Sequence, residues 1–110
     1  ISVTGVYSGL IAVRFKKAIP EAMLKASNLH NLSMELHERM IDDMVGELTN
    51  IITGNTFTDG EFEDTMFSIP VTIQGKNHII TWSREPRITV IPFYIDKEKF
   101  VVQTEFKKIG

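Results

Sequence analysis

The chain contains no cysteine, which excludes disulfides and thiolate metal sites and fits a reducing cytosol. Its four prolines and seven glycines are scattered singly, so no Pro- or Gly-rich linker divides the 110 residues. One domain spanning 1–110 is therefore expected. A formal net charge of −2 gives no basic footprint for nucleic acid. No apolar run approaches the roughly 20 residues that cross a bilayer. No signal-peptide pattern opens the chain either, so the expected location is cytoplasmic, with no membrane partner. Ile1 is not a native start, and residues upstream of it are expected.

Several catalytic devices are also missing. There is no Gly-rich phosphate loop, no Ser/His/Asp set and no nucleophile elbow. His30, His37 and His78 are scattered, and none has a second histidine four residues on, so a helical zinc pair is absent. Asp42, Asp43 and Glu47 lie close in sequence, but a hard cation wants more oxygen ligands than that. No metal or cofactor of the chain's own is expected.

What is present reads as a small folded domain. Ile1 to Tyr7 and Leu10 to Phe15 read as strands around a Ser8-Gly9 turn. Pro20 suits a first helical position, with Ala22, Met23, Leu24 and Ala26 following at helical spacing and Asn28 as the stop. Ser33 is the expected N-cap of a long helix. A polar loop follows from Asn55 to about Thr65. Phe67, Ile69, Val71 and Ile73 then alternate with Ser68, Pro70, Thr72 and Gln74, which predicts a strand with one buried apolar face. Pro70 makes it an edge strand or a bulged one. His78 to Trp82, Arg87 to Tyr94 and Phe100 to Lys107 complete the strand pattern. The expected fold is α+β: an antiparallel sheet of about six strands with two helices packed on one face.

The long helix carries the most information. Leu36, Met40, Met44, Leu48 and Ile52 recur four apart, and Ile41, Val45 and Ile51 fill in beside them. At 100° per residue, Asp43, Glu47 and Asn50 project within about a 60° sector. Gly54 shares that sector if the helix lasts so long, although Gly54 is also the expected closing residue near Ile52 or Thr53. Gly46 flanks the sector. A mid-helix glycine costs about 1 kcal/mol against alanine, and close approach of a partner would account for it. Taken alone, a Glu and an Asn three residues apart are most often a solvated face.

The longer stretch Asp43-Met44-Val45-Gly46-Glu47-Leu48-Thr49-Asn50-Ile51-Ile52-Thr53-Gly54-Asn55 resembles the signature helix of the CheC/CheX/FliY family of chemotaxis phosphatases, and specifically the CheX branch. Ser68-Ile69-Pro70-Val71, Gly75-Lys76-Asn77-His78-Ile79 and Ile88-Thr89-Val90-Ile91-Pro92-Phe93 follow in matching order. The resemblance implies a CheC-like fold and a phosphatase acting on phosphorylated CheY, a response regulator with an aspartyl phosphate and magnesium of its own. It implies that Asn50 orients the attacking water and that Glu47 reaches a lysine on the regulator. Asp43, Gly46 and Gly54 would then belong to the docking rim. It also implies a homodimer formed through the sheets.

Two features depart from the family pattern. Members usually open with a further helix and strand, so the N-terminal part of the family domain is expected to be missing here. The loop before Pro70 is slightly shorter than the family spacing. Some members carry a second motif copy, but the helix from Pro20 to Asn28 has Glu21 with Leu24 three residues on, so one site per chain is expected. The rival reading is a non-catalytic binding module on the same fold, like the middle domain of the flagellar switch protein FliM.

Overall fold

The computed structural model describes residues 1–28, 32–56, 64–76, 78–80, 82 and 87–109. Strands β1 (Ser2–Gly5) and β2 (Tyr7–Phe15) lead into helices α1 (Ala18–Ala26) and α2 (Met34–Thr56). Strands β3 (Thr65–Phe67), β4 (Ile88–Ile95) and β5 (Glu98–Lys108) follow. The five strands form one antiparallel sheet in the order β3-β1-β2-β5-β4. This is the expected α+β architecture, with five strands among the described residues where the pattern suggested about six.

The centre of the sheet is β2 against β5, paired from Tyr7↔Lys108 to Phe15↔Phe100. Val3, Ile11 and Val102 are buried there, and Ile52 of α2 packs on them with Tyr7, Val13, Phe100 and Phe106. Helix α2 thus lies against β2, and α1 lies against α2. Ile19, Pro20 and Leu24 of α1 and Ile41 of α2 are buried. Lys17 Nζ donates to Glu38 Oε1 at 2.6 Å, tying the entry of α1 to α2. That hydrogen bond lowers the pKa of Glu38 and raises that of Lys17. The pair is solvent-exposed, so it contributes little to stability.

The first hairpin turns earlier than its sequence suggests. Gly5 takes the corner at φ 123°, while Ser8 and Gly9 lie inside β2 opposite Lys107 and Phe106. Helix α1 starts at Ala18, ahead of Pro20, and ends where expected, with Asn28 left-handed at φ 58°. Ser33 caps α2: the Leu36 N–H donates to Ser33 Oγ at 3.3 Å. The far end of α2 differs, since the helix runs through Gly54 to Thr56. Glycine ends a helix only where the backbone turns left-handed, and Gly54 does not. A Cβ built on Gly54 meets nothing within 4 Å. Gly54→Ala should therefore raise stability by about 1 kcal/mol, read as a higher midpoint in urea unfolding with an unchanged slope.

The apolar row of α2 is less buried than its spacing suggests. Leu36 is 41% exposed and Ile51 49%, while Ile41, Thr49 and Thr53 are buried. A strict i+4 row drifts about 40° per step around the helix, so it cannot stay on one side. The buried side instead runs through two threonines. Thr49 satisfies its hydroxyl by donating to the Val45 carbonyl at 2.8 Å.

The largest departure follows β3. Only Thr65–Phe67 pairs with β1, and the chain then leaves the ladder. Ser68 holds the exit: its N–H donates to the Ser2 carbonyl at 3.0 Å, and its Oγ accepts from the Ser2 N–H at 2.8 Å. From there the chain crosses to α2 as a strap. Its alternation is inverted relative to expectation. Ile69, Val71 and Ile73 are 83%, 81% and 65% exposed, while Pro70 and Thr72 face α2 half-buried. Residues 78–80 and 82 are not in a strand either. The polar loop after Asn55 and the turn at 83–86 fall largely outside the described residues, as does His30.

Candidate functional site

Asp43, Glu47, Asn50 and Gly54 are all exposed on α2, on the sector that helix geometry gives them. No hydrogen bond or ion pair among the described residues engages the side chains of Asp43, Glu47 or Asn50. An uncommitted carboxylate and an uncommitted amide therefore stand one turn apart on a rigid helix. Together they offer an acceptor for a cation and a combined donor and acceptor.

Gly46 is placed differently from its neighbours. It is buried, and the surface that approaches it belongs to the chain itself. A Cβ at Gly46 would lie 3.6 Å from Pro70 Cγ and 3.8 Å from Thr72 Oγ1 of the strap. These are ordinary contact distances, so Gly46→Ala should be accommodated and should stabilise the isolated chain slightly. In the isolated chain Gly46 is thus covered by Pro70 and Thr72 at ordinary contact distance.

The strap closes one side of the exposed sector. At 100° per residue, Asn50 lies about 40° around the helix from Gly46, and Asp43 about 60° in the same sense. The ground covered by the strap thus borders the Asn50 edge. Beneath the strap, a groove of about 490 Å³ runs between the sheet and α2, lined by Leu10, Val13, Val45, Thr49, Val71 and Ile80 among others. It is mainly apolar, and neither Glu47 nor Asn50 lines it. Sequence reasoning missed the strap as a site component. Its signal was present in the mid-helix glycine together with a proline that cannot continue a ladder. Among the described residues no group of three or more His, Asp or Glu side chains converges. No described helix is long and apolar enough to cross a membrane.

Comparison with known proteins brings fold and site together. The family described as "Chemotaxis phosphatase CheX" matches residues 1–94. A chemotaxis protein from Desulfovibrio vulgaris Hildenborough shares 30% identity and superposes with a TM-score of 0.78, over 96% of this chain and 69% of its own. The chemotaxis protein CheX from Desulfovibrio desulfuricans shares 26% identity at a TM-score of 0.78, over 96% and 71%. CheX from Vibrio vulnificus shares 26% identity at 0.72, over 96% and 72%. No curated protein matches the sequence. A match running from the first hairpin through the motif helix and into β4, with solved CheX structures agreeing in fold, means that this chain belongs to the CheX family of chemotaxis phosphatases.

Proposed function

We propose that this chain hydrolyses the aspartyl phosphate of a phosphorylated CheY-like response regulator in the cytoplasm. The observation that carries the reading is the exposed and uncommitted pair Glu47 and Asn50 on one face of α2, in a member of a phosphatase family. Among the described residues that face presents carboxylates and an amide but no hydroxyl or thiol, so in this reading the attacking group is water. Water oxygen bonds to phosphorus as the bond from phosphorus to the aspartate oxygen breaks, giving free aspartate and inorganic phosphate. An amide suits the positioning of that water, because it accepts one of its hydrogens and can donate to its oxygen. Glu47, one turn earlier, pairs with a lysine of the regulator and fixes the docking register. Asp43 and Gly54 lie along the same rim. Magnesium belongs to the regulator, and this chain brings no cofactor.

The direct test mixes the protein with a phosphorylated CheY-like receiver and follows loss of phosphate. Catalytic amounts should speed dephosphorylation well above the receiver's own rate. An unchanged rate across the host's receivers, with binding retained, would favour the binding-module alternative. Elemental analysis of the isolated protein should find no stoichiometric metal.

The reading extends to assembly. The edge strand β4 exposes Val90, Phe93 and Tyr94 together with Ile91 and Ile95, so apolar side chains reach solvent on both of its faces. Such an edge is suited to burial against a second copy. A symmetric dimer should sediment at tens of micromolar protein, and Tyr94→Glu should shift it toward monomer. Sedimentation as monomer alone would count against this part of the reading.

A further inference from the structure

The strap between β3 and residue 78 is held at both ends. Ser68 fixes one end to β1 through its two bonds with Ser2. At the other end, Gln74 Nε2 donates to Asp42 Oδ1 at 2.8 Å and to the Glu38 carbonyl at 3.3 Å. Gln74 is in turn set by the tight bend that follows it. Gly75 stands at φ 133°, a conformation that side chains oppose. The His78 ring sits over it, only 2.7 Å from where a Cβ would be. His78 Nε2 lies 3.0 Å from the Gln74 carbonyl, and with hydrogen on Nε2 it donates there. Gly75 and His78 thereby orient the Gln74 amide toward α2. Between the two anchors, Pro70 and Thr72 rest on Gly46.

We infer that Gln74 is a positioning residue: through Asp42 it pins the strap across Gly46, and the pinned strap forms the fixed wall against which a regulator registers on Glu47 and Asn50. The inference rests on the proposed regulator docking and adds a second element to that site. Asp42 lies one turn before Gly46 on the helix, so the latch acts directly along the line of the strap. Without Gln74, no hydrogen bond among the described residues ties the strap to α2. A loose strap sweeps the ground beside Asn50 and must be ordered again each time a regulator docks. That cost falls on binding, because the chemistry uses side chains on α2 that the strap does not carry.

The test separates binding from turnover. In Gln74→Leu the apolar tip cannot donate, and in Gln74→Glu a carboxylate faces that of Asp42. A charge-assisted hydrogen bond is worth about tenfold in an equilibrium, so KM for a phosphorylated CheY-like receiver should rise about fivefold to tenfold with kcat little changed. Asp42→Asn combined with Gln74→Glu restores the pair across that contact with the polarity reversed, though not the bond to the Glu38 carbonyl, and it should recover part of the lost KM. Backbone order in the strap, read as NMR order parameters of residues 69–74 without any regulator, should fall in both single variants and rise again in the double variant. Unchanged strap order in Gln74→Leu would overturn the latch. Lower order with unchanged KM would overturn its role in docking, as would a fall in kcat with KM unchanged. If the wild-type chain neither binds nor dephosphorylates any receiver, the functional reading fails and the docking role falls with it. The order parameters still decide whether Gln74 holds the strap.

Discussion

Asn50→Ala should lower the dephosphorylation rate at saturating regulator by about 10² to 10³, the usual loss when one oriented polar group at the reaction centre is removed. Affinity for a receiver loaded with beryllofluoride, a stable stand-in for the phosphoryl group, should stay nearly constant. The argument is energetic. Water is placed in line with phosphorus only as the reaction proceeds, so the amide acts on the transition state more than on the docked ground state. Asn50 is exposed and engages no partner among the described residues, so its truncation opens no cavity and strands no buried group. Unfolding by urea should therefore be unchanged within about 0.5 kcal/mol. Asn50→Asp sharpens the test: it keeps the size, removes the donor, and brings a negative charge toward the phosphoryl group. Its loss should equal or exceed that of alanine. Normal turnover of Asn50→Ala at saturation would sink the water-positioning role and give the lead to the binding module.

Helix geometry made the exposed sector legible before any coordinates, because side-chain direction on a helix follows from spacing alone. The same holds for the start of α2, where Ser33 announces its cap. The end of α2 was not legible. Gly54 can stop a helix or continue one, and only the surrounding structure decides. The strap was misread for a related reason. Its alternating residues fit a half-buried strand, but alternation names two faces without saying which is covered. Here Pro70 and Thr72 face α2, and the apolar set is mostly exposed. What Pro70 and Thr72 meet lies about 25 residues away in sequence, at Gly46 on the helix. Long-range fits of this kind leave no periodic mark. Thr49 and Thr53 illustrate the converse: they are buried yet polar, so a hydrophobic pattern passes over them.

Glu47→Ala should behave differently from Asn50→Ala, and the contrast separates the two roles. A carboxylate that pairs with a lysine across an interface holds register both before and during the reaction. Removing it should weaken binding of the beryllofluoride-loaded receiver as well as turnover. Truncating one partner of a desolvated interfacial pair costs on the order of 2 to 5 kcal/mol, much of it from the charge left behind on the other side. Glu47 is solvent-exposed in the free chain, so its desolvation occurs on docking and offsets part of the gain. The lower end of that range, about 2 kcal/mol or roughly thirtyfold in affinity, is therefore expected. The loss should depend on salt. Wild-type affinity should fall as ionic strength rises and the pair is screened, and the difference from Glu47→Ala should narrow. Glu47→Gln removes the charge while keeping the side chain's length, so it should resemble alanine in its salt response and recover only part of the affinity. Stability should be unaltered in both variants, since the side chain is exposed and engages no hydrogen bond or ion pair among the described residues. If Glu47→Ala binds the loaded receiver as tightly as wild type at low salt, the register role is wrong. The acidic face of α2 would then serve the reaction through Asn50 alone.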